Sequence, residues 1–375
     1  MKDKKILITG ASGFIGSFLC ERGLELGMEV WAGMRASSSR RWLQNEWLRF
    51  QTLDLTDRDR LRKQLEDFRQ RHGRWDYIVH AAGATKCLDP ADFDRNNLDC
   101  TVNLVETLRE LDMVPRLLVY VSSLSAVGAV REQETGRRSR PCRDRRGQDW
   151  QVYDDIRETD VPVPNTAYGL SKWKSEQYLQ GLVARPDGED GTAAVSDLPF
   201  VIMRPTGVYG PRERDYFLQA RSVKQHVDFG AGWKPQEITF VYVSDLVEAI
   251  YAAVGQVESG RLERINHHVY NVSDGETYSS RSFSEYIQEC LGVHGVVHVK
   301  APLWLLRTVC AVSEWLARRR GKVSTLNGDK YRILSQRNWN CDISRLREEL
   351  GFEPQWLLER GTRETVGWYL KEGWL

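Results

Sequence analysis

Gly10-Ala11-Ser12-Gly13-Phe14-Ile15-Gly16 lies between a short β-branched apolar run at 4–9 and a stretch where Phe14, Phe18, Leu19 and Leu26 recur at helical spacing. The first glycine permits the tight turn that leaves a strand. The second, Gly13, removes a side chain where a pyrophosphate would lie, and Gly16 lets helix and strand pack closely. The helix start then offers free N–H groups and a positive dipole end to phosphates, with Ser12, Phe14 and Ile15 completing the turn. Glycines at this spacing alone say little. Placed after a strand and before an amphipathic helix, they read as a dinucleotide cradle.

Outward from this turn the pattern keeps its alternation. Strand-like runs follow at 30–34, 50–54, 77–81, 117–122 and 200–204, with helical patterns between them such as 97–111 and 171–182. Strands alternating with helices imply βαβ crossovers and a Rossmann-like, doubly wound parallel sheet. From about Pro211 the pattern loosens, with strands expected at 238–243 and 268–272 and helices at 282–291 and 302–318. This divides the chain into a nucleotide-binding domain, 1–210, and a smaller substrate-binding lobe, 211–375, partly interleaved with the first. The stretch 131–150 holds seven arginines against four acids and reads as a solvated insertion, or alternatively as a lid drawing in an anionic substrate. The stretch 185–197 reads as a surface excursion.

Three further places carry chemistry. The strand at 30–34 ends in Arg35, followed by Ser37, Ser38, Ser39, Arg40 and Arg41, where an NAD-selective site usually sets an acid against the ribose hydroxyls. Guanidinium and hydroxyl groups suit a 2′-phosphate, which favours NADP over NAD. Asp54 and Leu55 end the next strand, placed to flank an adenine. Tyr168 and Lys172 are one helical turn apart, so phenol and ammonium share a face, and a lysine there lowers the phenol pKa toward general acid–base use. Upstream, Ser122, Ser123 and Ser125 crowd a strand end, where a hydroxyl can donate to a substrate oxygen as charge develops.

Taken together these residues resemble the extended short-chain dehydrogenase/reductase family, the NAD-dependent epimerases and dehydratases among them. The likeness covers almost the whole chain: the glycine turn, His80-Ala81-Ala82-Gly83, Asn97 to Thr101, Ser122 to Gly128, Tyr168 to Lys172, Arg204 to Pro211, Phe240 to Leu246 and Tyr270 to Gly275. The resemblance implies a catalytic set of Ser123, Tyr168 and Lys172 with Asn97 as a structural or relay partner. It also implies that Ala81, Ala82 and Gly83 line the cofactor cleft and that Pro205, Thr206 and Val208 lie near the nicotinamide. Lys86, Ser125 and Arg212 are candidates for substrate contact.

Within that family, Arg35 and Thr206 lean toward net oxidoreductases of the hydroxysteroid-dehydrogenase and dihydroflavonol-reductase kind, with nucleotide-sugar epimerisation as the alternative. Leu124 and Ser125 follow Ser123 where dehydratases carry acids, which disfavours 4,6-dehydration. The stretch 301–322 resembles the C-terminal helix of steroid-dehydrogenase-like members. Its Leu303, Trp304, Leu306, Val309 and Cys310 read as a face packed on the substrate lobe in preference to a membrane surface. A homodimer is expected by analogy with related enzymes.

Composition narrows the partners. A formal charge of +1 over 375 residues gives no bulk drive toward nucleic acid. Seven scattered cysteines, without metal-ligand spacing, argue for a reducing, cytoplasmic setting over a disulfide framework, and His267-His268 lacks companions for a metal. No apolar run is long enough to span a bilayer, and 1–16 leads into a strand with no cleavage site, so no signal peptide is read.

Overall fold

The computed structural model describes residues 1–133, 142–143, 153–184, 198–234, 236–324 and 326–375. The first half runs β1 (Lys5–Thr9), α1 (Phe14–Glu25), β2 (Glu29–Met34), β3 (Arg49–Thr52), α2 (Arg58–His72), β4 (Tyr77–His80), α3 (Cys100–Glu110), β5 (Leu117–Val121), β6 (Cys142–Arg143) and α4 (Ala167–Ala184). Then come β7 (Phe200–Pro205), β8 (Gly207–Tyr209), α5 (Asp215–Lys224), β9 (Val227–Ala231), β10 (Glu237–Ile238), β11 (Phe240–Tyr242), α6 (Val243–Glu258), α7 (Leu262–Ile265) and β12 (Val269–Val272). The chain closes with β13 (Thr277–Ser279), α8 (Ser282–Leu291), β14 (Val297–Ala301), α9 (Leu303–Arg319), α10 (Gly328–Ser335), β15 (Asn338–Trp339), α11 (Ser344–Leu350) and α12 (Leu358–Lys371).

Seven strands form one sheet in the order β12-β7-β5-β4-β1-β2-β3, and every neighbouring pair is parallel. Strand residues alternate between two cores, as period-two geometry requires. Ile6, Ile8, Val119 and Val121 face a core closed by Leu19 of α1 and by Leu246, Ile250 and Val254 of α6. Leu7, Ile78, Leu118 and Tyr120 face the opposite core, with Leu61 and Leu65 of α2, Leu104 and Leu108 of α3 and Leu179 of α4. The fold is therefore the doubly wound parallel sheet expected from the alternation. Its order reverses between β1 and β4, which opens a crevice at their carboxyl ends.

Sheet membership crosses residue 210 in both directions. Strand β12 pairs with β7 in the main sheet, while β6 pairs with β13 in a second sheet ordered β15-β10-β13-β6. A third core, with Tyr209, Phe240, Phe283, Ile287, Leu358 and Tyr369, fills the smaller lobe. The run expected as one strand at 238–243 is interrupted at Thr239, and Val243 opens α6. Except for 131–133 and 142–143, the arginine-rich insertion falls outside the described residues, as does 185–197. The helix at 301–322 differs from expectation. Cys310 is its one buried residue, its contacts are chiefly with α10, and Trp304 and Val309 are exposed.

Candidate active site

The crevice begins at Gly10, whose φ of +69° is the left-handed region that favours glycine. A methyl group there would stand 2.8 Å from Cα of Ala82, and one on Gly16 would stand 2.2 Å from the Gly10 carbonyl oxygen. The first would push the turn off the 81–82 segment, and the second would push α1 off the turn itself. Helix α1 starts at Gly13 with no side-chain cap and no acid in its first turn, so no side chain among the described residues competes for its first amide groups. That is the cradle a pyrophosphate needs. Arg35 ends β2 in solvent, and Asp54 is tied to α2 through the Gln64 side chain, which donates to its carboxylate (2.9 Å).

A hydrogen-bonded spine runs beneath the crevice. Thr101 donates to the Asn97 carbonyl oxygen (2.8 Å) and so accepts from His80 Nε2 (3.2 Å). Thr9 therefore donates to His80 Nδ1 (2.8 Å), while accepting from the Ala82 amide (3.1 Å). Burial, with the charge of Lys172 adding to it, pushes the His80 pKa down to about 3, which keeps the ring neutral. Asn97, one of the six residues of a π-helical turn at Asp94–Asp99, is also fully engaged. Its Oδ1 accepts from the Ala84 amide (2.7 Å), and its Nδ2 donates to the Ala84 carbonyl (3.1 Å) and to Ser171 Oγ (2.8 Å). Asn97 thus clamps the loop after β4 to α4.

The sheet edge next to this loop carries the three residues of the expected catalytic set. Lys172 is buried and donates to the Val121 carbonyl (2.8 Å). A methyl at Gly83 would lie 3.3 Å from its Nζ, so the cleft loop rests against it. Burial draws the Lys172 pKa down to about 8, against the pull of Glu176. Burial pushes the Tyr168 phenol up to about 12, with a hydrogen bond from Ser123 drawing the other way. The expected lowering of the phenol pKa by Lys172 is therefore not what this arrangement gives, because the ammonium is turned to a strand carbonyl. Ser123 begins a 3-10 turn at Leu124–Ala126 and accepts from the Ser125 amide (3.2 Å). Gly169 permits this approach, since a methyl there would sit 2.2 Å from the Ser125 carbonyl oxygen.

Ser122 is separated from Ser123 by its partner. Its hydroxyl donates to Glu176, a carboxylate one turn beyond Lys172 that also receives Nε of Arg204 at 3.1 and 3.0 Å in a fully buried ion pair. The sequence reading did not single out Glu176; its i, i+4 spacing from Lys172 was the available signal. It also missed Asp329, whose carboxylate accepts from the amides of Ala167 and Tyr168 (3.1 and 3.2 Å) and so caps α4 from α10. No local pattern announces that cap.

The remaining candidates are placed as follows. Pro205 ends β7, Val208 lies in β8, and Thr206 Oγ1 is buried without a hydrogen-bond partner among the described residues. A nicotinamide carboxamide is the kind of group that would satisfy that hydroxyl. Lys86 is exposed and ion-paired to Asp215. Arg212 is turned onto α1, where it donates to Ser17 (2.9 Å) and Glu21 (2.7 Å) and stacks over Phe18. His267 and His268 bond to the Leu198 carbonyl and to Glu349 respectively.

A model of the NAD dependent epimerase/dehydratase family matches residues 6–273. The chain is 23% identical to a UDP-glucose 4-epimerase of Vibrio cholerae, covering 98% of this chain and 96% of that protein. It is 21% identical to the decarboxylating sterol-4-alpha-carboxylate 3-dehydrogenase of Saccharomyces cerevisiae, covering 98% of each. Among solved structures, the Bordetella bronchiseptica enzyme WbmG in complex with NAD superposes with a TM-score of 0.70 at 21% identity, over 99% of this chain and 96% of that one.

Proposed function

The chain belongs to the NAD dependent epimerase/dehydratase family, and from that premise we propose that it carries out reversible hydride transfer at a carbonyl or secondary alcohol of a small-molecule substrate. The observation that carries this reading is the meeting of Ser123, Tyr168 and Lys172 at the sheet edge beside the glycine cradle. A nicotinamide dinucleotide, held by the α1 amides, Arg35, Asp54, Leu55, the 81–83 loop, Lys172 and Pro205 to Val208, supplies the hydride acceptor or donor. Tyr168 passes a proton to the substrate oxygen in reduction and takes it back in oxidation. Ser123 donates to that oxygen, and Lys172, whose ammonium is held by the Val121 carbonyl beside the 81–83 loop, would hold the nicotinamide ribose. With its pKa at about 12 the phenol rests protonated at neutral pH, the state needed for reduction. Leu124 and Ser125 leave no acid beside the hydroxyl for dehydration.

Substitution of Tyr168 by Phe should cut turnover by about 10³-fold while leaving dinucleotide binding intact, as read by fluorescence titration. Retained turnover would overturn the assignment. Arg35 in place of an acid favours NADP, and tighter binding of NADPH than NADH to the purified protein is the expected result. The relative from Vibrio cholerae favours a second reading, epimerisation of a nucleotide sugar. Its mark would be stoichiometric NAD retained through purification and released on denaturation. A cytoplasmic homodimer completes the proposal; sedimentation velocity tests the dimer. Cys20, Cys87, Cys100, Cys290, Cys310 and Cys341 are free, and Cys20, Cys100, Cys310 and Cys341 are buried, in keeping with a reducing compartment.

A further inference from the structure

Helix α9 carries two apolar stripes. The inner one, Leu303, Leu306 and Cys310, lies toward α10. The outer one faces solvent: Trp304 is 70% exposed, Trp315 52%, Val312 51%, and Leu305, Val309 and Leu316 are each 40% or more. At 100° per residue these six side chains fall within one face of the helix. The adjoining β9–β14 ribbon adds Phe229 (68%), Val297 (61%) and Val299 (40%), which the parallel register places on one side of the ribbon. Trp233, 66% exposed, follows Gly232, which packs against Leu303 where the ribbon meets the helix. Exposed large apolar side chains scattered singly are ordinary; three tryptophans and a phenylalanine on one helix and the ribbon that leads into it are not.

Charge identifies what covers it. Residues 301–322 hold five cations, Arg307, Arg318, Arg319, Arg320 and Lys322, against the single acid Glu314. Arg319 lies 4.0 Å over the Trp315 ring, so its stem covers apolar surface while its charge reaches outward. Glu314 is turned inward, accepting from Arg318 and from the Gly328 amide (2.9 Å). A second copy of the chain would bring like charges together across this face. The segments outside the described residues offer little match: 134–141 has no large apolar residue, 185–197 has no aromatic or leucine, and 144–152 has only Trp150 and Val152 among four charged residues. No helix among the described residues is long and apolar enough to cross a membrane.

We propose that α9 and the β9–β14 ribbon dock the protein flat on an anionic lipid surface, the tryptophans entering the acyl boundary and the arginines meeting the headgroups. This goes beyond the catalytic reading and does not depend on it.

The test is co-sedimentation of the full chain with vesicles of phosphatidylcholine alone or with about one-third phosphatidylglycerol, with thermal melting as the folding control. The protein should pellet with the anionic vesicles, weakly with the neutral ones, and less as salt rises. Trp304→Ser with Trp315→Ser, and separately Arg318→Gln, Arg319→Gln and Arg320→Gln together, should each lower partitioning by about tenfold or more. All five positions are exposed, so both variants should melt as the parent does. No binding to anionic vesicles, or equal binding to both kinds, would overturn the proposal. So would a self-association that the tryptophan variant abolishes, since a second copy would then be the occupant.

Discussion

Two adjacent serines show how a single hydrogen bond divides labour. Ser122 gives its hydroxyl to Glu176 inside a closed ion pair with Arg204, whereas Ser123 keeps its hydroxyl beside the Tyr168 phenol. Ser123→Ala should therefore lower kcat by about 10²-fold with little change in melting temperature. Ser122→Ala should do the reverse, costing about 1–3 kcal/mol of stability as a buried acceptor loses its donor, with kcat largely kept. Steady-state kinetics and thermal denaturation on the pair check both halves. The hydroxyls proposed to react were chosen from the sequence alone, because the family resemblance selects Ser123 by its distance from Gly128, and Tyr168 with Lys172 by one helical turn. The direction of Lys172 was not legible. Spacing puts an ammonium on the right face, but the strand carbonyl that receives it belongs to β5, 51 residues away in sequence.

Helix α4 depends on elements remote from it. The glycine after Tyr168 admits the 3-10 turn of Ser125, and Asp329 caps the first turn from α10. Asp329→Ala should cost about 1 kcal/mol of stability, the usual worth of a lost N-cap, measured by denaturant titration. Periodicity located every strand of the main sheet to within about two residues, because a parallel strand buried on both faces reads as an apolar run. It failed where tertiary contacts decide. The turn at Asp94–Asp99 winds as a π-helix ahead of α3, three residues before the expected helix start, and places Asn97 against the loop after β4. The strand expected to end at Val243 gives way there to α6, whose first turn carries Asp245, buried and accepting from the amides of Gln355 and Trp356. In α9 a single apolar stripe was read where two exist. A sequence pattern shows which residues are apolar, and only the packing shows which of them find a neighbour.

Across the whole molecule, two buried groups with pKa values pushed to about 8 from opposite directions shape stability in adjoining pH windows. Burial raises the Asp274 carboxyl to about 8, against the pull of the Tyr278 hydroxyl, which donates to it (2.7 Å). Between its ordinary value near 4 and 8 the folded form holds a proton that the unfolded chain releases, so stability falls as pH rises through that window. For Lys172, lowered to about 8, the unfolded chain holds the extra proton between 8 and about 10.5, so stability rises with pH there. Asp274→Asn should flatten the first limb and Lys172→Met the second, in chemical denaturation followed from pH 5 to about 10. The main sheet was legible from its alternation. The passage of β12 and α6 back onto it was not, since it depends on long-range pairing. One consequence lies in how force would travel. Glu314 holds the start of α10, and Asp329 one residue further on holds the start of α4. Helix α9 and the Tyr168 phenol are thus joined in mechanical series, two carboxylate links apart. A tug or a cut at α9 would be felt first at the amino end of α4, and would reach the nucleotide cradle only through the Asn97 clamp beyond it.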